Sequence, residues 1–316
     1  GFAQYLVPQG ASFDKALDRP RPDDMSGPSP SEGDVTAGRA LALQRVKDAA
    51  STTPATSQPK PGSPDIPADV AGLPGVDSGS GTKEDPLRVS DMSTAVKLLG
   101  DGKYHIQLNR PDEVATLLDK VREETAKFKE RGEKEPVFNL CLVSVPGSNL
   151  YCADSVGYDR IRMPQLSTAN PVPGSYADSL PRNGKGEVDL TEDFLKWLEE
   201  VKGIKVKRGT KVYASHLRAS QAELRGGKVT GMMEGMKAGK VPPGVISQTS
   251  DGYIIDGHHR WAANTGLSMG GSNPVMETNT IDADIVTILA LANQFASEMG
   301  SPPMAASVSG RTTKPV

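Results

Sequence analysis

Aromatic residues and prolines are distributed unevenly along this chain, and the distribution limits where a folded core can form. No Phe, Trp or Tyr occurs between Phe13 and Tyr104, and 11 of the 25 prolines lie before residue 83. Such a segment cannot bury enough apolar surface to offset the entropy lost when it becomes ordered. We therefore predict a long low-complexity N-terminal arm over residues 1–82, either disordered or ordered by a partner, with one weak helix at 34–50.

Beyond the arm, helical and strand patterns follow one another, which is typical of an α+β protein. The folded part is divided into a small α/β segment at 83–203, an α+β domain at 204–299 and a flexible tail at 300–316. Helices are predicted at 93–99, from 111, from 191, at 215–224, at 228–238, from 257 and at 284–299. Strands are predicted at 105–108, 137–143, 211–213, 245–247, 253–255 and 275–276.

Charge and hydropathy exclude some classes of partner. The formal net charge is −3, which does not favour a protein that tracks a nucleic-acid backbone, so we rank DNA binding last. No run approaches the ~18 apolar residues of a membrane span, and residues 1–5 do not resemble a signal peptide. We expect a cytoplasmic or virion protein that does not bind a membrane.

The two cysteines give no sign of a disulfide framework or a metal site. Ten residues separate Cys141 from Cys152, and no histidine lies near either of them in the sequence. A metal site would need more ligands at characteristic spacing. We therefore predict that both thiols are reduced and structural.

The most informative motif is a strand that turns through a glycine into a helix. Apolar residues lead into Asp256 and Gly257, and His258, His259 and Arg260 follow. A glycine permits a sharp turn, and the first amides of a helix are unpaired and attract anions. Two of only four histidines in the chain occur here. The alternative is an ordinary Asp-Gly turn followed by a polar helix end.

Each side chain of this motif suggests a role in phosphate chemistry. Arg260 can bind a phosphate through two nitrogens. Asp256 can cap the helix, orient a histidine or bind Mg²⁺, and His258 or His259 can act as a general acid or base. We predict that Asp256, His258 and His259 are catalytic residues of a nucleotide- or phosphate-binding protein.

The region 204–299 resembles the ParB/sulfiredoxin superfamily, in particular the ParB-like, nuclease-type domains of phage-associated proteins. The resemblance is carried by Ser215-His216-Leu217-Arg218-Ala219-Ser220-Gln221, by the helix that starts at Lys228, and by Ser250-Asp251-Gly252-Tyr253-Ile254-Ile255-Asp256-Gly257-His258-His259-Arg260-Trp261-Ala262-Ala263. It implies that the phosphates of ATP or CTP, with or without Mg²⁺, bind at residues 257–260. It also implies that Gln221 and Lys228 line the pocket, although a solvated helix face explains these two residues equally well.

Differences from the family motifs narrow the expected chemistry. The matching sulfiredoxin motif is Gly-Cys-His-Arg, and His258 stands at its cysteine position, so sulfinic-acid reduction is not expected. The partition-type ParB motif is Gly-Glu-Arg-Arg, whose Glu and first Arg are replaced here by His258 and His259. Related free-serine kinases carry segments like Asp-Gly-His-His-Arg, which makes phosphoryl transfer plausible beside phosphodiester hydrolysis.

A second hypothesis needs no catalysis. The chain is then a phage virion or interaction protein that retains the ParB-like fold and uses residues 1–82 to bind other subunits. Nucleotide titration and limited proteolysis of the arm would distinguish the two hypotheses.

Overall fold

The computed structural model describes residues 66–148, 150–268 and 273–304. All the described residues belong to one compact unit. The helix predicted at 34–50 and the last residues of the tail lie outside the described part. Residues 66–82, which we assigned to the arm, are folded, because aliphatic side chains such as Val70 enter the core although no aromatic residue is present.

The described part is a mixed α+β structure with seven α-helices. They are Met92–Asp101 (α1), Pro111–Glu130 (α2), Tyr176–Ser179 (α3), Thr191–Glu200 (α4), Gly226–Lys237 (α5), His258–Leu267 (α6) and Ile285–Glu298 (α7). The strands are Val76–Ser78 (β1), Leu87–Val89 (β2), Ile106–Gln107 (β3), Val143–Ser144 (β4), Ser167–Thr168 (β5), Val188–Asp189 (β6), Val206–Tyr213 (β7), Arg218–Ala219 (β8), Ile246–Thr249 (β9), Tyr253–Asp256 (β10) and Val275–Ile281 (β11).

Three sheets organise these strands. A four-stranded sheet has the order β1-β2-β3-β4, a five-stranded sheet has the order β7-β11-β9-β10-β8, and β5 pairs with β6 in a two-stranded ribbon. In the five-stranded sheet, β9 pairs antiparallel with β10 and parallel with β11. Strand β10 therefore has a strand on each side, and it leads directly into α6.

Helices α2, α5 and α6 pack together beside the sheets. The apolar stripe predicted on α2 is buried, with Val114, Leu117 and Leu118 at its centre. Gly266 of α6 permits this approach, because a Cβ there would lie 2.8 Å from the Leu118 side chain. One hydrophobic core contains residues from both sides of position 203, so the predicted α/β segment and α+β domain share their interior.

Two secondary-structure predictions are wrong in detail, since tertiary pairing outweighs local pattern. The predicted strand 137–143 is interrupted by a 3₁₀ turn at Leu140–Leu142, in which the Asn139 side chain accepts a hydrogen bond from the Cys141 amide at 3.1 Å. The predicted helix 215–224 is a 3₁₀ turn at Ala214–His216 followed by β8, whose residues pair with β10.

The prediction of two reduced cysteines is also wrong. Cys141 and Cys152 form a disulfide, with their Cα atoms 4.7 Å apart. The intervening residues fold back on themselves, so sequence spacing gave no indication of the pairing. The disulfide closes a short loop that packs against the segment between β8 and α5, where the Ser155 hydroxyl donates to the Gln221 carbonyl at 2.8 Å.

Helix α7 is apolar but packs inside the protein. Its Phe295 ring lies 5.4 Å from Phe194 and 5.3 Å from Trp197, centroid to centroid, so it joins an aromatic cluster with α4. Asp284 caps the helix by accepting from the Thr287 amide at 2.9 Å. Within the described residues no helix combines the length and the apolar character needed to cross a membrane.

Candidate functional site

A cavity of about 630 Å³ lies over the turn between β10 and α6. Its walls come from the start of α6, from α5, from the sheet strands β9–β11 and from the ribbon β5–β6. The residues predicted from the sequence to form the site all line this cavity, namely Asp256, Gly257, His258, His259, Arg260, Gln221 and Lys228. Gln221 and Asp256, which are 35 residues apart in the sequence, therefore line the same cavity.

The turn itself leaves backbone donors free. Gly257 has φ 97°, a conformation that favours glycine, and it stands at the N-cap of α6 with no side chain capping the helix. The first helical hydrogen bond runs from the Trp261 amide to the Gly257 carbonyl at 2.8 Å. The amides of His258, His259 and Arg260 have no acceptor within the described residues. These N–H groups and the helix dipole together form an anion-binding position.

The His258 ring is a buried hydrogen-bond acceptor. It is 5% exposed, and its Nε2 accepts from the Ser220 amide at 3.1 Å. A backbone N–H can only donate, so this contact favours a ring proton on Nδ1; the Ser220 hydroxyl also lies 3.0 Å from Nε2, and the donor in that second contact depends on the tautomer. Burial lowers the pKa of His258 to about 3, and the charge of Arg160 acts in the same direction. His258 is therefore neutral at ordinary pH.

The His259 ring has the same role one residue later. Its Nε2 accepts from the Arg225 amide at 3.2 Å. Burial, followed by the positive charges of Lys228 and Arg160, holds the pKa of His259 well below its ordinary value. Both imidazoles thus hold the segment between β8 and α5 in place. Their contacts support a positioning role rather than the general acid–base role that we predicted for them.

Asp256 is the acid that lies next to the start of α6, and Asp189 and Glu187 also line the cavity. Burial raises the pKa of its carboxyl group, and the nearby Asp189 adds to the increase, while Arg260 opposes it. Of the three roles considered for Asp256, capping of α6 does not occur, because Gly257 occupies the N-cap and the helix has no side-chain cap. Its position at the end of β10 directs the carboxyl group into the cavity instead.

Four basic residues line the cavity, Arg160, Lys185, Lys228 and Arg260. Arg260 donates from Nη1 to the Val245 carbonyl at 2.7 Å, which holds its guanidinium at the cavity wall. Lys228 has no ion-pair partner within the described residues, and burial lowers its pKa. Arg160 lies 3.2 Å from Glu223, measured from Nε to Oε1, but without hydrogen-bond geometry.

Gln221 connects the cation Arg160 to the loop before α5. Its side chain is 3% exposed, its Nε2 donates to the Glu223 carbonyl at 2.6 Å, and its Oε1 accepts from Arg160 Nη1 at 3.5 Å. Arg160 lines the cavity, whereas Arg162 is not part of the lining. Gln221 thus helps to position a cation, which favours the pocket interpretation over a solvated helix face.

No sequence pattern predicted which residues form the opposite wall of the cavity. Ribbon β5–β6 and the turn beside it contribute polar residues that include Asn170, Asn183 and Asp189. This stretch has neither helical nor strand periodicity, so we predicted no helix or strand there. No group of three or more His, Cys, Asp or Glu in the described ranges is arranged to hold a metal ion.

Comparison with known proteins returns no match: no protein-family model, no curated protein and no solved structure is similar to this chain. The chemistry of the cavity is therefore the basis for assigning a function.

Proposed function

We propose that this chain binds the phosphate groups of a nucleotide at the start of α6, within a ParB/sulfiredoxin-like domain at 204–299. The observation that carries the proposal is the set of three unpaired amides at His258, His259 and Arg260, which open into a cavity. Backbone donors at a helix N-terminus bind phosphate because they are already oriented and carry partial positive charge. The cavity is within the range of roughly 300–1,000 Å³ that is usual for small-molecule sites.

The side chains around the amides suit an anion of more than one charge. Arg260, Lys228 and Arg160 line the same cavity, and Lys228 is free of ion pairs within the described residues. A hydrogen bond to a charged group contributes about 1.5–3 kcal/mol. Arg260 keeps unused N–H groups after its bond to Val245, so it can still donate to a phosphate oxygen.

Phosphoryl transfer or phosphodiester hydrolysis at this site would depend on Asp256. Its raised pKa brings the carboxyl group closer to the range in which a general base is effective. The neutral histidines position the loop that carries Gln221 and do not carry a proton for the reaction. A single carboxylate beside a phosphate site also fits Mg²⁺, which commonly binds one or two carboxylates together with substrate phosphates.

Isothermal titration with inorganic triphosphate, ATP and CTP tests the proposal. We expect Arg260→Ala to weaken binding by about 10- to 100-fold, because one charged hydrogen-bonding group is lost. Arg162→Ala is the matched control, since it removes the same charge from an exposed position that does not line the cavity. Equal affinities for the wild type and Arg260→Ala would contradict the proposal.

A further inference from the structure

One face of the five-stranded sheet carries a row of polar side chains into the cavity. Asn279 of β11 pairs with Ser247 of β9, and Ser247 pairs with Asp256 of β10. Residues paired across adjacent strands point to the same face of the sheet, and neighbouring strands lie ~4.8 Å apart. The three side chains therefore lie side by side over about 10 Å of the cavity floor.

The polar groups of Ser247 and Asn279 are left without partners. Ser247 is only 3% exposed, yet neither its hydroxyl nor the Asn279 amide has a hydrogen bond within the described residues. On the other face of the same strands, Gln248 Nε2 donates to the hydroxyls of Thr278 and Thr280, both at 3.0 Å. Because the Ser247 hydroxyl and the Asn279 amide have no protein partner in the described part of the chain and line the cavity, both groups are available to hydrogen-bond a ligand there.

The chemistry of the row differs from that of the phosphate position. A hydroxyl, an amide and a carboxylate supply both donors and acceptors but no positive charge. Such a set suits neutral hydroxyl groups, whereas a second phosphate would require cations. No Phe, Tyr or Trp side chain lines the cavity in the described part of the chain, so the large aromatic rings on which bases usually stack are absent there.

We propose that Asn279, Ser247 and Asp256 form a subsite for the free hydroxyl groups of an organic phosphate whose phosphate lies at the start of α6. The inference rests on the proposed function and names the substrate class as a sugar-bearing phosphate ester. Ribonucleotides and free sugar phosphates share this chemistry. The row would set specificity by discriminating such esters from inorganic phosphate or triphosphate.

Two matched pairs of ligands test the subsite by isothermal titration. ATP is compared with inorganic triphosphate, and ribose 5-phosphate with inorganic phosphate. We expect Ser247→Ala and Asn279→Ala each to lower the affinity for the preferred sugar-bearing ligand by about 3- to 10-fold, because each variant loses one neutral hydrogen bond. The affinity for the inorganic counterpart should not change. If only the affinity for ATP falls, the hydroxyl groups are those of a ribonucleotide. If only the affinity for ribose 5-phosphate falls, they are those of a free sugar phosphate.

Thr280→Val serves as the control variant, because Thr280 lies on the same strand but faces away from the cavity. It should leave all four affinities unchanged. The subsite is refuted if the two cavity variants weaken both members of a pair equally, or weaken neither. If inorganic triphosphate still binds in that case, and Arg260→Ala weakens this binding, the phosphate site remains supported although the hydroxyl subsite does not exist. Absence of binding by all four ligands would overturn both.

Discussion

Acidification should destabilise this protein through its two buried histidines. The ordinary pKa of histidine is about 6.5, and burial holds that of His258 at about 3 and that of His259 well below its ordinary value. Below pH 6.5 the unfolded chain binds protons at both rings and the folded chain does not. The stabilising contribution is therefore complete above about pH 6.5 and is lost progressively as the pH falls toward the folded-state values.

The magnitude follows from proton linkage. Lowering the pH from 7 to 5 costs about 1.9 kcal/mol for each ring that stays neutral in the folded state, or about 4 kcal/mol for both. Asp256 acts in the opposite direction, because its raised pKa makes the folded state bind a proton more readily as the pH falls. Comparison of variants at the same pH removes this and other shared contributions.

His258→Gln isolates one ring. The Gln Oε1 can accept from the Ser220 amide as the imidazole Nε2 does, but the amide does not titrate. Urea unfolding at pH 7 and pH 5, followed by the fluorescence of the buried Trp261, should show about 2 kcal/mol less acid destabilisation in the variant than in the wild type. His216→Gln, at an exposed position, should behave as the wild type. If His258→Gln and the wild type lose the same free energy of unfolding between pH 7 and pH 5, the assignment of a neutral, hydrogen-bonded ring is refuted.

Three further outcomes are expected. Replacing Cys141 and Cys152 together by Ser should lower the free energy of unfolding by about 2–3 kcal/mol in denaturant titrations, because the short loop that the disulfide closes gains freedom in the unfolded chain; no change would contradict a native disulfide. Gly257→Ala should lower the free energy of unfolding by about 1–2 kcal/mol and weaken phosphate binding, because φ is 97° and a Cβ would lie 3.1 Å from Ile246. An unchanged thermal midpoint would argue against this turn. Phosphate affinity should fall at alkaline pH, because the pKa of Lys228 is lowered and its side chain loses its proton. Lys228→Arg should abolish this fall. If the variant has the same pH profile as the wild type, Lys228 is not part of the site.

Local sequence signals predicted the turn at the candidate site because its residues are contiguous in the sequence. A strand ending, a glycine and a helix start occur within a few residues at Asp256 and Gly257, so the turn and its free amides could be predicted from the sequence. The buried stripe of α2 was predictable for the same reason, since helical periodicity is contained in one segment.

Other features depend on contacts between distant residues and were not predictable. The His258 ring accepts a hydrogen bond from the amide of Ser220, 38 residues away in the sequence, and the His259 ring accepts one from the amide of Arg225. A pair of histidines at a helix start therefore suggested proton transfer when their actual contacts are structural. The polar row on the sheet required the register of β9 and β11, because alternation alone does not show which strands are neighbours.

The most direct test of the account observes the backbone amides at the start of α6. In ¹⁵N-resolved NMR spectra, titration with inorganic triphosphate should shift the amide signals of His258, His259 and Arg260 with one saturable affinity, because these N–H groups are free to donate. If these three signals stay unchanged while triphosphate binds elsewhere or does not bind, the start of α6 is not a phosphate site.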